Sequence, residues 1–265
     1  MRSILAMALA WVLLVTTATA QGGGLVRLRT LDEGRGWEAV GRIDIGGKAF
    51  CTGTLISPSQ VLTAAHCLYD RTTGRPHDPS EMTFLAGWRE GRAVAYRKVR
   101  RAVAHPDYVY EGQDRIDRVA YDLAILELDQ PVRVSMVRPF AIGADPHRGD
   151  TVGIVSYAID RAEAPSLEPA CKVLGRQPGI LVLTCSVDFG SSGAPIFQMQ
   201  NGQPQIVSVV SAKAEMDGQP VALGTAMRAP LAELRAAFDA TASRFRKVSP
   251  ASAGLSAGGA KFVRP

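Results

Sequence analysis

From Trp37 onward the chain alternates short apolar or apolar–polar runs with clusters of Gly, Pro, Asp and Ser. Strict alternation over a short run suits a strand with one buried face. The runs predict strands at 39–45, 49–56, 60–63, 82–86, 94–104 and 123–128. Turn chemistry separates them: Gly46-Gly47, Ser57-Pro58-Ser59 and the polar stretch 70–80. A proline-containing connector at 129–139 follows, and the style resumes at 151–157, 170–174, 179–186, 194–199, 205–212 and 221–227. Evenly spaced short strands on both sides of one connector argue for an all-β barrel or sandwich. One helix is predicted, at 230–247. Pro230 stands near its start, where proline is tolerated. Leu231, Leu234, Phe238, Ala242 and Phe245 share a face at three- and four-residue spacing, which predicts a packing helix with a wet side.

The two ends of the 265-residue chain read differently. Arg2, an apolar run at 4–15 and the small residues Ala18-Thr19-Ala20 form a secretory signal, with cleavage expected after Ala20. The run is shorter than the roughly 20 residues a spanning helix needs. Residues 21–36, rich in Gly, predict a flexible arm, and 248–265, mostly Ala, Gly, Ser and Pro, predict a disordered tail. Between them lie two β units, 37–132 and 133–229, before the helix.

Formal charge is +5, with Arg97, Lys98, Arg100 and Arg101 the densest cluster. No aromatic interleaving or nucleic-acid motif accompanies it, so a solvated strand face is expected and nucleic acid is not an expected partner. The four cysteines fall as two local pairs, Cys51 with Cys67 and Cys171 with Cys185. An even count in an exported chain points to disulfides, and no C-x-x-C supports a zinc site.

Three stretches carry chemistry. Gly190-Ser191-Ser192-Gly193-Ala194-Pro195 places a serine between glycines, on a turn able to expose its oxygen and converge backbone N–H groups. By itself such a cluster is an ordinary turn. His66 follows an apolar strand and small residues in Val61-Leu62-Thr63-Ala64-Ala65-His66-Cys67, and a Cys51–Cys67 tether would hold its ring rigid. Alone, a histidine there is more often a satisfied core residue. His77, His105 and His147 fall in Pro- or Asp-containing loops, where exposure is the default. Asp122 opens the run Asp122-Leu123-Ala124-Ile125-Leu126. A carboxylate there is a strand-end cap, or a buried group that needs a partner such as His66. The acidic positions Asp107, Glu111, Asp114 and Asp117 lack the spacing of a calcium loop and read as a solvated loop.

These segments, in this order, resemble the chymotrypsin-like (trypsin-like) serine protease family over about 37–245. The resemblance implies two six-stranded antiparallel β-barrels, a cleft between them, a C-terminal helix, and peptide-bond hydrolysis without a cofactor or metal. It implies Ser192 as nucleophile, His66 as general base and acid, and Asp122 as the orienting carboxylate, with the N–H groups of Gly190 and Ser192 as the oxyanion hole. Cys51–Cys67 matches the family bridge beside the histidine, and Cys171–Cys185 resembles one near the serine in bacterial members. The specificity pocket is expected at Ser186 (floor), with walls from 207–211, including Ser208, and from Gly224-Thr225. An uncharged floor and histidine-free walls predict a small or medium apolar residue before the cleaved bond.

Two departures matter. Ser191 stands where trypsin-like enzymes carry the aspartate that captures a new amino terminus, and no Ile-Val-Gly-Gly-type start occurs. The site is therefore expected to be preformed, or governed by the arm at 21–36 in another way. The combination is more similar to bacterial secreted members such as the glutamyl endopeptidase branch than to digestive enzymes. The expected partner is a polypeptide substrate met by a monomer, secreted or periplasmic, with no membrane contact after signal cleavage. The alternatives are a silent binding module on the same scaffold, or an esterase using the same triad.

Overall fold

Gly46 and Gly47 both adopt positive φ, 58° and 68°, which folds β2 (Val40–Ile45) back onto β3 (Ala49–Ser57). Along β2 the side chains of Val40, Ile43 and Ile45 are buried, whereas Arg42 and Asp44 are only half-buried. A computed structural model describes residues 25–110 and 116–246; the predicted signal segment and tail lie outside them, as do Glu111 and Asp114 of the acidic loop.

The same alternation builds β4 (Gln60–Thr63), β5 (Met82–Ala86), β6 (Ala95–Ala104) and β7 (Ala124–Leu128). The six strands close in the order β2-β3-β4-β7-β6-β5. Val40, Leu55, Leu62, Met82, Phe84 and Ile125 fill the interior and are essentially inaccessible to solvent.

The second half contains β8 (Thr151–Ser156), β9 (Ser166–Gln177), β10 (Ile180–Leu183), β11 (Pro195–Gln200), β12 (Gln203–Met216) and β13 (Gln219–Ala226). These run β9-β10-β13-β12-β11-β8, and β8 pairs with β9 to close a second six-stranded antiparallel barrel. Trp37, Phe140 and Phe197 meet with ring centroids 4.6–5.8 Å apart and join the two barrels through the connector. This is the double barrel that the sequence led us to expect.

Residues 25–36 differ from the expected loose arm. β1 (Val26–Arg27) pairs with Ser166–Leu167 of β9, the Leu28 N–H donates to the Pro165 carbonyl at 2.8 Å, and Leu28 is buried. A glycine-rich composition predicted freedom; an available strand in the second barrel removes it.

The helix α1 (Arg228–Arg246) follows the second barrel yet packs on β6 and β7 of the first. Leu231, Leu234 and Phe238 are buried, and the Arg101 guanidinium lies 3.8 Å from the Phe238 ring centre while donating to its carbonyl. Arg100 and Arg101 also pair with Glu127. The basic cluster is thus partly an anchor for the helix, not only a wet strand face.

Candidate active site

β4 and β7 run antiparallel with Thr63 opposite Ala124. Continuing that register two residues beyond Thr63 brings the stretch before His66 alongside Asp122. Ala64 and Ala65 are fully buried, and a short 3-10 turn at Ala65–Leu68 presents His66. The Cys51–Cys67 disulfide, with Cα atoms 6.3 Å apart, ties that turn to β3.

Asp122 meets His66 twice. Its Oδ1 accepts the His66 backbone N–H at 2.8 Å, and its Oδ2 lies 2.7 Å from the ring Nδ1. The Asp122 side chain is 3% exposed and the imidazole 25%. Ser211 donates its hydroxyl to Oδ2 as well. Burial alone would raise the Asp122 carboxyl, but the His66 ring, the Ser211 hydroxyl and the His66 N–H outweigh it and hold the group below the ordinary carboxylate range. Tyr108 packs nearby; burial first and the Asp122 charge second push its phenol upward.

The Ser192 turn packs against the same strands. A Cβ on Gly193 would lie 2.1 Å from Thr63 Oγ1 and 2.9 Å from Ala64 N, so the Ser192 turn lies directly against the approach to His66. Ser192 itself is half-buried, and its hydroxyl makes no hydrogen bond to His66 in this structure. Catalytic hydrogen bonds are often loose before substrate arrives.

A trans peptide points its C=O and N–H in opposite directions, so the partners of the turn's carbonyls fix its N–H groups. The Phe189 carbonyl accepts from Ile159 N–H at 2.8 Å, and the Ser191 carbonyl from Ala194 N–H at 2.9 Å. The following amides, Gly190 and Ser192, therefore face the other way. The N–H groups of Ser191 and Gly193 are engaged, by Asp188 O and Val210 O. Among the described residues no acceptor meets Gly190 N–H or Ser192 N–H. They are the two free donors of the turn. Gly190 adopts φ 93°, and a Cβ there would lie 2.3 Å from the Phe50 ring.

The predicted pocket residues fare differently. Ser186 is exposed, and its N–H donates to Glu168 at 2.7 Å, a buried carboxylate that the sequence did not single out. Ser208 is fully buried with its hydroxyl on the Thr225 carbonyl, and a Cβ on Gly224 would strike Ser208 Oγ at 2.4 Å. Ser208 and Gly224 are barrel-core positions, a correction to their expected place on a pocket wall. Both lie where β12 and β13 pair regularly, Ser208 opposite Ala226 and Gly224 opposite Val210, which packs them against each other. The bulge in β12 comes after, between Val210 and Ala212, at Ser211, whose hydroxyl reaches Asp122. Two residues on, Lys213 pairs at 3.0 Å with Asp188, which leads into the Ser192 turn.

Both disulfides form as paired from the sequence, Cys171–Cys185 with Cα atoms 5.1 Å apart, and no cysteine is left as a free thiolate. His105 departs from expectation. It is buried, stacked 4.9 Å from the Tyr121 ring, with Nε2 3.2 Å from Glu233 of α1. The helix that covers it comes from the far end of the chain, so local loop chemistry gave no sign of it. His147 is exposed, as expected.

Two closed barrels and a histidine–carboxylate pair beneath a glycine-flanked serine define the chymotrypsin-like serine protease class of fold. The chain belongs to the trypsin family, whose family model, Trypsin, matches residues 31–169. It is 32% identical over 95 residues to the "Modular serine protease" of Drosophila melanogaster, covering 35% of this chain and 15% of that protein. It is 33% identical over 103 residues to the "Suppressor of tumorigenicity 14 protein homolog" of Bos taurus, covering 36% and 11%. The chain thus spans a small fraction of these relatives' lengths. Among solved structures it resembles a Glu endopeptidase in complex with MPD, at TM-score 0.67 and 20% identity over 82% of this chain and 97% of that one. It also resembles the thermostable serine protease AL20 from an extremophilic microorganism, at TM-score 0.63 and 16% identity over 77% and 98%.

Proposed function

We propose that the chain is an exported serine endopeptidase acting through Ser192, His66 and Asp122. The observation that carries the reading is the buried Asp122–His66 pair, 2.7 Å apart at Nδ1, packed against the Ser192 turn. With Nδ1 donating to Asp122, the neutral ring leaves Nε2 as its basic atom. Nε2 takes the proton from Ser192 Oγ as that oxygen attacks the substrate carbonyl. The free N–H groups of Gly190 and Ser192 receive the developing oxyanion, and Asp122 stabilises the imidazolium without taking its proton. His66 then protonates the leaving amine, and water, activated by the same ring, hydrolyses the acyl-enzyme.

Export is supported by the signal pattern before Gln21 and by two disulfides, which persist in oxidising compartments. No helix among the described residues is long and apolar enough to cross a membrane. Lys213 and Asp188 answer each other's charge and Ser186 is neutral, which favours an uncharged residue before the cleaved bond.

A fluorophosphonate probe tests the reading. The intact protein is expected to label covalently, Ser192→Ala and His66→Ala are not, and His77→Ala is expected to label as the parent does. An unlabelled parent chain would overturn the assignment. Parallel peptide and ester assays separate the endopeptidase from an esterase, and strong cleavage after Arg would refute the neutral pocket.

A further inference from the structure

We propose that Thr52, on the first barrel, is a positioning residue that aims the oxyanion donors of the second. The proposal rests on the endopeptidase reading above. Its starting point is a mismatch in strand length. β3 pairs with β4 only from Thr54 onward, so the edge of β3 at Thr52 has no strand beside it on that side. The nucleophile turn occupies the place. Thr52 N–H donates to the Ser192 carbonyl at 2.9 Å, and Thr63 Oγ1 donates to the Thr52 carbonyl at 2.8 Å.

The hydroxyl completes the arrangement. Thr52 Oγ1 donates to the Gly190 carbonyl at 2.8 Å and accepts Tyr157 N–H at 3.1 Å. A carbonyl only accepts and an amide N–H only donates, so the direction of the hydroxyl proton is determined. Thr52 is fully buried, and water has no part in this exchange. One side chain therefore links three segments: β3, the turn that carries the free donors, and the stretch following β8.

That stretch holds the turn from its other side. Ile159 N–H donates to the Phe189 carbonyl at 2.8 Å, and Ser191 Oγ donates to the Tyr157 carbonyl at 3.2 Å. The peptide before Gly190 is thus set by Ile159 and the one after it by Thr52, and Tyr157 joins the two through its bonds to Thr52 and Ser191. Removing the hydroxyl leaves the Gly190 carbonyl and Tyr157 N–H buried without partners, and rotating the Gly190–Ser191 peptide is the cheapest relief. The Gly190 carbonyl shares its peptide with the Ser191 N–H, so that rotation pulls this N–H off the Asp188 carbonyl and displaces the Gly190 and Ser192 amides on either side of it. Thr52 touches no reacting atom; it acts through the geometry of the turn.

Thr52→Val keeps the β-branched shape and deletes the hydroxyl, and Thr52→Ser keeps the hydroxyl. In the full chain, Thr52→Val is expected to lower kcat on the order of 10- to 100-fold with KM nearly unchanged. Affinity for a peptidyl boronate, which presents a tetrahedral oxyanion, should fall in parallel, and Thr52→Ser should restore both. A folded Thr52→Val with parental kcat and boronate affinity overturns the proposal while leaving the endopeptidase reading intact. Failure of the parent chain to label with fluorophosphonate overturns both. Should Thr52→Val not fold, NMR of the parent decides. A slowly exchanging Thr52 hydroxyl proton with a cross-peak to the Tyr157 amide is expected, and its absence refutes the bridge.

Discussion

Asp122 holds His66 by both ends of one carboxylate: Oδ1 on the backbone N–H at 2.8 Å and Oδ2 on the ring Nδ1 at 2.7 Å. Position and tautomer of the imidazole are therefore set by the same buried group. Asp122→Asn would present an amide N–H to one of these donors and favour the wrong tautomer. A loss in kcat on the order of 10⁴-fold is expected, as for other triads of this type, with KM little changed. Ser211→Ala removes only the third partner, and steady-state kinetics should show a loss on the order of tenfold or less.

The lowered Asp122 carboxyl makes a signed prediction about acid stability. A group held below its unfolded value, about 3.9, contributes stability that is present above that value and lost as pH falls through the folded one. Urea midpoints should therefore be level above about pH 5 and drop progressively below about pH 4. Replacing Asp122 with Asn should flatten part of that drop. An unchanged slope would refute the contribution.

Ser191 is fully buried, with its hydroxyl on the Tyr157 carbonyl and near Ser156 Oγ. No carboxylate waits there for a new amino terminus. A chain carrying an uncleavable extension before Gln21 is expected to label with fluorophosphonate at the rate of the trimmed chain. A rate that appears only after trimming would show that the site is not preformed.

Gly193 adopts φ 79°, and a Cβ there would lie 2.1 Å from Thr63 Oγ1 and 2.3 Å from the Thr52 carbonyl. Backbone on one side leaves little room to yield. Gly193→Ala should cost about 3 kcal/mol or more, read as a lower denaturation midpoint or loss of soluble protein. Gly46→Ala, at a similar positive φ but with open space around it, should cost about 1 kcal/mol.

Glu168 buries its carboxylate against Ser186 N–H at 2.7 Å. Glu168→Ala leaves that N–H without its partner and should destabilise by about 1.5–3 kcal/mol, measured by thermal or urea unfolding.

Strand positions, the two disulfides, the C-terminal helix and the contact of His66 with Asp122 were all legible in the chain. Each depends on local pattern: alternation for β2, Gly at the 46–47 turn, three- and four-residue spacing for α1, and motifs that survive without neighbours. Ser208, Gly224, His105 and the arm at 25–36 were misread because long-range events decide them. The pairing of β12 with β13 packs Ser208 against Gly224, α1 returns to cover His105, and β9 offers an edge to Val26 and Arg27.

Only the tertiary structure decided how the serine turn is aimed. The peptides that begin at Phe189, Gly190 and Ser192 are held by donors and acceptors on β3, the stretch after β8 and β12. No local pattern encodes those partners, because hydrogen bonds between barrels form across some 140 residues of chain, as Thr52 and Gly190 do at a separation of 138. Composition and periodicity determine which strands form and which face is dry. Where two closed barrels meet, register and the bonds across the seam determine which side chains share a site.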